Sequence, residues 1–376
     1  MTVTPAYRVV GPLASTGTFA CGVGGERRGS PQSVTFLYSW DWSHEFADYI
    51  AGEVPAHRLF GAGQMWPFGV DIRHCRWGRW PRCVRSPRSW QLWQGMWTVL
   101  TQRHSSVVVA TTEASAFVPL LLRRLGLLRR PVITVSVAIL RPSYGQGWRR
   151  RVVGWLLGRS DLVLVYARAQ TESTARTLNL PAHRVRFVPL GVDTDFFRPR
   201  PNNVPPIACP NVLSVGTNEG KDYPTLLRAL SKEQVCLVVT DEANAAAVRS
   251  TRTDGTVQLA SNVKIRDLRD LYAGAEKCVI PLREIPYSSG QTVLLEQMAM
   301  GADVTVTDVS AVRDYVGDVA RLVPEGDSDS LKRALQTPRR QGDPRAHVRA
   351  YFTSERFSRD LAGLCLGLAQ GSADVG

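Results

Sequence analysis

From residue 33 onward, short β-branched runs alternate with stretches of helical period, and they do so in two series. Runs at 34–37, 107–110, 132–135, 162–165 and 185–188 read as strands, with helical patterns at 43–51, 114–125, 148–157 and 169–178. The second series has strands at 212–215, 235–239, 257–259, 278–280 and 304–306, and helices at 223–230, 243–248, 266–273, 292–300 and 327–335. Alternation of this kind is the signature of parallel sheets with crossover helices. Between the series lie Pro199, Pro201, Pro205, Pro206 and Pro210, the composition of a linker. At 376 residues the chain exceeds what one core usually organises. The prediction is an α/β protein of two Rossmann-like, doubly wound domains, 1–200 and 201–350, followed by 351–376, a helix free to pack back on the first domain. Such sheets take ligands outside the carboxyl ends of their strands, so two facing domains imply an inter-domain cleft.

Composition narrows the function. An apolar content of 44% with 21% charged residues describes a globular chain. The richest apolar patches, 116–122 and 152–157, are far too short to span a bilayer. Residues 1–29 lack a basic start, an apolar run and a cleavage site, which predicts a cytoplasmic location. Seven scattered cysteines without a CxxC pair fit reduced thiols, and Cys236 and Cys278, inside apolar runs, read as buried small hydrophobes. His74, Cys75 and Cys83 lack a fourth ligand at suitable spacing, so no metal site is predicted.

Charge divides the halves. Residues 1–200 carry 26 arginines, no lysine and 11 acidic residues, a net of +15, whereas 201–376 carry 20 basic and 22 acidic residues, a net of −2. All ten tryptophans lie in the first 155 residues. Trp66, Trp77, Trp80, Trp90, Trp93 and Trp97 are interleaved with Arg73, Arg76, Arg79, Arg82, Arg85 and Arg88, and Trp90, Trp93, Trp97 and Leu100 fall on one helical face. A core stripe with solvated arginines is one reading. The other is an anionic interface: a lipid-linked or phosphate-bearing acceptor, and attachment to an anionic membrane surface. Single-stranded nucleic acid ranks below both, because no RNA-binding module is recognisable.

The segment most informative about chemistry is Tyr287-Ser288-Ser289-Gly290-Gln291-Thr292-Val293-Leu294-Leu295-Glu296, which follows a buried strand and opens a helix. Free amides of Gly290, Gln291 and Thr292 would face a ligand, the helix dipole favours negative charge, and glycine permits close approach of a phosphate. A carboxylate at Glu296, turned to a cleft, accepts two hydrogen bonds from a diol such as a ribose. The alternative makes Ser289 an ordinary N-cap and Glu296 an exposed helix charge. A second strand-turn-helix runs from Asn211 through Gly216 to Lys221 and Leu227, and its lysine either places a point charge on a diphosphate or is a solvated loop residue, the commoner case. Before the linker stands Phe187-Val188-Pro189-Leu190-Gly191-Val192-Asp193, leading to Phe197-Arg198-Pro199.

These three segments in this order resemble the retaining, nucleotide-sugar-dependent glycosyltransferases of the GT-B fold. The resemblance covers roughly residues 162–335 and is weak over 1–160. It implies transfer of a sugar from a nucleotide-sugar donor, with the nucleotide sugar as co-substrate and no resident cofactor or metal. It places the donor ribose on Glu296 and the diphosphate on Lys221, beside Gly216. Backbone amides from Ser289 to Thr292 would take the distal phosphate and sugar, and the backbone at Ile265, between Lys264 and Arg266, would meet the nucleobase.

The sequence departs from the family at three places. Ser288 stands eight residues before Glu296, where the family has a second glutamate, and Glu284 is offset from that position. Thr217 stands where an arginine is common. The segment from Ser136 to Arg141 lacks the usual histidine, leaving Arg141 as a candidate sugar or phosphate contact. The expectation is a variant in which Ser288 and Gln291 hold the sugar, the other reading of the missing glutamate being impaired catalysis. The alternatives are a nucleotide-sugar epimerase of the same fold, with Asp41 and His44 as its only early acid and base candidates, and a non-catalytic nucleotide-sugar-binding protein.

Overall fold

A computed structural model describes residues 16–19, 32–75, 86–141, 147–199, 210–251, 256–339 and 341–373. The chain forms two compact units, one of Met1–Tyr166, Gln170–Val188 and Glu355–Gly376, the other of Ala167–Ala169 and Pro189–Ser354. Cys83, Trp77, Trp80, Arg76, Arg79, Arg82, Arg85 and most of the proline-rich segment lie outside the described residues.

The first unit runs β1 (Thr16–Phe19), β2 (Gln32–Leu37), α1 (Ser43–Ile50), β3 (Val70–Cys75), α2 (Pro87–Thr101), β4 (Val107–Ala110), α3 (Glu113–Arg124), β5 (Val132–Val135), α4 (Trp148–Leu157), β6 (Leu162–Val165), α5 (Gln170–Leu178) and β7 (Val185–Phe187). Its sheet has the order β1-β3-β2-β4-β5-β6-β7. Only β1 is antiparallel to its neighbour; the remaining pairs are parallel. Strands β4, β5 and β6 are buried at every position, which is why their sequences are apolar apart from Thr134 of β5, whose hydroxyl pairs with that of Ser160 at 2.7 Å.

Two strands escaped the sequence reading. β1 precedes the first apolar run, and β3 reads Val-Asp-Ile-Arg-His-Cys, too polar to look like an interior strand. Two of its polar side chains find contacts inside the unit: Arg73 Nη1 donates to the His104 carbonyl at 3.0 Å, and the His74 ring stacks on Phe46 at 4.2 Å.

On α2 the tryptophans face inward. Trp90 and Trp97 are buried with Cys75, and Trp93 packs half-buried beside them, whereas Leu100 is 69% exposed. At 3.6 residues per turn Leu100 lies about 80° round the helix from Trp90, so the row drifts off the core within three turns. The outer face of α2 is instead Leu92, Met96 and Leu100, all exposed.

The second unit runs β8 (Val212–Val215), α6 (Tyr223–Ala229), β9 (Cys236–Val239), α7 (Glu242–Thr251), β10 (Val257–Ala260), α8 (Ile265–Gly274), β11 (Lys277–Ile280), α9 (Gln291–Ala299), β12 (Val304–Thr307), α10 (Arg313–Val316), β13 (Arg321–Val323), α11 (Ser328–Gln336) and α12 (Pro344–Tyr351). All strands are parallel, in the order β10-β9-β8-β11-β12-β13. β13 and α12 were not anticipated: one is three residues long, and the other is a short basic stretch with few apolar positions.

The segment after β7 belongs to this second unit. Val192 donates to the Phe352 carbonyl at 2.8 Å, Ser354 donates back to Val192 at 2.9 Å, and Phe197 enters the core. The last helix, α13 (Ser354–Ala373), joins the first unit from residue 355, where the Ser358 hydroxyl donates to the Gly61 carbonyl at 2.9 Å.

Arg345, on α12, is the tie across the back of the second unit. Its guanidinium donates to the carbonyls of Phe197 at 3.0 Å, Ala299 at 2.8 Å and Thr194 at 3.2 Å. Replacing it with Met leaves three carbonyls without their donor. We expect Arg345→Met to lower unfolding stability by about 3 kcal/mol, measured as the shift of the denaturant transition of the second unit; an unshifted transition removes Arg345 from the structural account.

Candidate active site

The order of the second sheet reverses direction between β8 and β11, so the chain leaves these paired neighbours toward opposite edges and their carboxyl-end loops border a crevice. One loop carries Gly216 and Lys221 into α6, and the other carries Ser288, Ser289 and Gly290 into α9.

The first loop is built around its lysine. The Gly216 carbonyl accepts from the Tyr223 hydroxyl at 2.6 Å and from the Thr240 hydroxyl at 2.7 Å. A Cβ on Gly216 would stand 1.9 Å from Lys221 Cε, so only glycine lets the lysine lie across the turn. Lys221 pairs through its backbone with Leu282, just past β11. Its side chain is 4% exposed and its Nζ has no hydrogen-bond partner. Desolvation disfavours the charged form and lowers the amine's pKa to about 7. An unpaired buried cation of this kind is costly unless something anionic completes it.

Hydrogen bonds lace the two loops together. Gly220 N donates to Asn218 Oδ1 at 2.6 Å, the Ser289 hydroxyl donates to the same oxygen at 3.2 Å, and the Tyr287 hydroxyl donates to Glu219. Ser289 is therefore not an N-cap. That position is Gly290, left-handed at φ +86° with no side-chain cap, and a Cβ there would meet Leu282 Cδ1 at 2.8 Å. The first amides of α9 are thus left without a side-chain acceptor, which is the geometry of an anion site. Gln291 is buried and its Nε2 has no partner; Ser288 is half-buried and Thr292 exposed.

Glu296 forms a second group. Far from being an exposed helix charge, it is 5% exposed, and its Oε2 accepts from the Tyr272 hydroxyl of α8 at 3.1 Å. Burial, reinforced by the Glu296 charge, holds the Tyr272 phenol well above its ordinary pKa, so it stays a donor. Ile265 opens the same α8, half-buried against the core, and its amide is one of the first-turn donors that a helix leaves unsatisfied.

The structure accounts for the other candidates. The Glu284 carboxylate is committed to Ser310, accepting its amide at 2.8 Å and its hydroxyl at 2.5 Å. In the first unit, Asp41 orders the start of α1 by accepting from the Ser43 amide at 3.0 Å and hydroxyl at 2.5 Å, and His44 is exposed. The Arg141 amide turns back onto the Ala138 carbonyl at 2.8 Å.

Sequence reasoning missed Glu113, a buried carboxylate at the start of α3. It accepts from the Ser136 hydroxyl at 3.1 Å and the Ala138 amide at 2.7 Å, and burial raises its pKa. The signal was present as an acid directly after an interior strand, inside the Thr112/Ser115 capping box. Among the described residues no three His, Cys, Asp or Glu side chains cluster as metal ligands, and Cys75, Cys236, Cys278 and Cys365 are buried free thiols.

Comparison with known proteins is consistent over both units. Residues 210–337 match the model described as "Glycosyl transferases group 1", and residues 45–196 match "Glycosyltransferase Family 4". The chain is 28% identical over 191 residues to an MMP alpha-(1->4)-mannosyltransferase of Mycolicibacterium hassiacum, a match spanning 47% of this chain and about half, 46%, of that protein. In structure it is similar to a sucrose-phosphate synthase from Thermosynechococcus elongatus, with TM-score 0.69 at 17% identity over 90% of this chain and 100% of that one. It is also similar to Anabaena HepE in complex with UDP and glucose, with TM-score 0.63 at 14% identity over 89% and 99% of the two chains. The fold is GT-B.

The depressed pKa of Lys221 has a consequence for stability. Folded, the amine loses its proton near pH 7; unfolded, it does so near 10.5. Between those values the unfolded chain holds a proton that the folded chain lacks, so this group's penalty is full below pH 7 and fades as pH rises. Lys221→Met is therefore expected to stabilise the second unit at pH 7 by on the order of 3 kcal/mol, with the gain vanishing toward pH 10. An unfolding midpoint unchanged at pH 7 contradicts the burial of an unpaired amine.

Proposed function

We propose, because residues 45–196 and 210–337 match the models of the family 4 and group 1 glycosyltransferases, that this chain transfers a hexosyl group from a nucleotide-sugar donor to an acceptor with retention of anomeric configuration. The observation that carries this reading is the buried, unpartnered amine of Lys221 lying against Gly216, beside the uncapped N-terminus of α9. The relative that is a mannosyltransferase and the neighbour bound to UDP and glucose support the reaction class and the donor class.

In this reading the donor diphosphate lies along the crevice at β8 and β11. Its charge is met by Lys221 and by the amides of Ser289 to Thr292, with no metal ion needed. Glu296, oriented by Tyr272, accepts the ribose hydroxyls, and backbone at Ile265 meets the base. Ser288 and the free Nε2 of Gln291 hold the sugar where relatives use a second glutamate.

As the bond from the anomeric carbon to the diphosphate oxygen breaks, the acceptor oxygen bonds to that carbon on the same face. The acceptor's proton passes to a diphosphate oxygen. The protein's contribution is charge already in place for the leaving group, which is worth most where water is excluded. The same reading takes the acceptor as lipid-borne and held by the basic first unit, with the protein cytoplasmic and peripheral to the membrane; the net charge of +15 over residues 1–200 supports it. Commitment of Asp41 to α1 and exposure of His44 weigh against an epimerase.

Incubation with a panel of UDP-, GDP-, ADP- and dTDP-sugars, reading free diphosphate and glycosylated product, tests the proposal. Release from at least one donor is expected. Lys221→Ala and Glu296→Ala should each reduce turnover about 100-fold, and Tyr272→Phe about fivefold. Full turnover in both alanine variants overturns the site. Donor binding without turnover makes the protein a binder.

A further inference from the structure

We propose that the outer face of α2, α3 and α4 is the surface by which this protein lies on an anionic lipid leaflet. The inference rests on the reading of a lipid-borne acceptor, but it is carried by different residues from those of the donor site.

Nine of the fourteen exposed large apolar side chains among the described residues fall on this stretch, from Leu92 to Trp155. The three helices pack in series, α2 on α3 and α3 on α4, so their outward residues share one layer. Leu92, Met96, Leu100, Val118, Leu122 and Leu127 line a groove of about 560 Å³ between α2 and α3. Beyond it, Leu121 and Leu125 project from the end of α3 and its following turn, and Trp148, Val152 and Trp155 from α4. Contiguous apolar surface of this kind on a water-soluble face marks an interaction site.

Charge selects the partner. Between residues 86 and 160 stand eleven arginines and one acid, Glu113, which is buried. Asp161, the next acid, is neutralised by Arg123 at 2.7 Å. Arg124 lies over the Trp155 ring at 3.4 Å and donates to its carbonyl, binding α3 to α4 at the rim. Apolar side chains set among arginines match an anionic headgroup layer over hydrocarbon, where indoles sit at the boundary and guanidinium groups reach phosphate.

A second copy of the chain would set arginines against the same arginines across a twofold axis. Nucleic acid would leave the aliphatic row Leu92, Met96 and Leu100 uncovered. None of the described helices is long and apolar enough to cross a membrane.

Co-sedimentation of the full chain with vesicles of phosphatidylcholine, with and without phosphatidylglycerol, tests the inference. Binding is expected only with phosphatidylglycerol, weakening as salt rises. The triple variant Leu92→Glu, Met96→Glu, Leu100→Glu and the pair Trp148→Ala, Trp155→Ala should each lower bound protein at least tenfold. Arg129→Gln and Arg151→Gln should each cost about fivefold. A thermal midpoint near wild type certifies that each variant is folded.

Lys221→Ala should bind vesicles normally, so failure of the donor site and failure of this surface are read apart. Equal binding to both vesicle types overturns the proposal. So do wild-type binding by the folded triple variant, a dimer in sedimentation velocity that the triple variant abolishes, and retention on single-stranded RNA but not on vesicles.

Discussion

A parallel sheet contains no hairpins, so every strand must be followed by a crossover, and every strand-to-helix turn falls on one edge. That constraint places the candidate site. Lys221 and Gly290 are some seventy residues apart in sequence, yet they follow β8 and β11, which are paired neighbours at the point where the sheet order reverses. In no other adjacent pair of this sheet do the outgoing connections diverge, each strand leading away from its neighbour. The backbone pairing of Lys221 with Leu282 and the close approach of Leu282 to Gly290 follow from that adjacency. In the first unit the equivalent reversal lies between β2 and β4, and Glu113 sits on the turn after β4.

Much of this was legible in the sequence where a local pattern carries the information. Interior strands such as Val107–Ala110 and Leu162–Val165 announce themselves because burial on both faces forbids polar residues. β3 was invisible for the opposite reason: Arg73 and His74 are buried, and their partners, His104 and Phe46, are set by tertiary structure. The same division holds in the site. Glycine, lysine and glutamate at fixed spacings can be read along the chain. Tyr272, which orients Glu296, and Asn218, which joins the loops, come from other elements and have no local signature. The tryptophan row on α2 was read as one face because three of its four positions agree with a helical period, and the fourth had already rotated toward water.

The charge asymmetry also takes a more definite form. The nearly neutral half needs little net charge because one desolvated amine and one helix terminus act at short range. In the basic half, the exposed leucines and tryptophans from Leu92 to Trp155 lie within residues 86–160, which carry eleven arginines and one acid, and Arg124 lies over the Trp155 ring.

The discontinuity of the first unit bears on how the protein is made. Its sheet is complete once β7 has been synthesised, yet Phe357, Ser358 and Leu361, which pack against Gly61, arrive only after the whole second unit has emerged. The unit begun first on the ribosome is therefore finished last, and it waits with the Gly61 region uncovered while residues 189–354 have everything they need to fold. A chain cut short within α13 would carry an intact second unit beside an unfinished first one, so damage at the carboxyl end would be felt near the amino end.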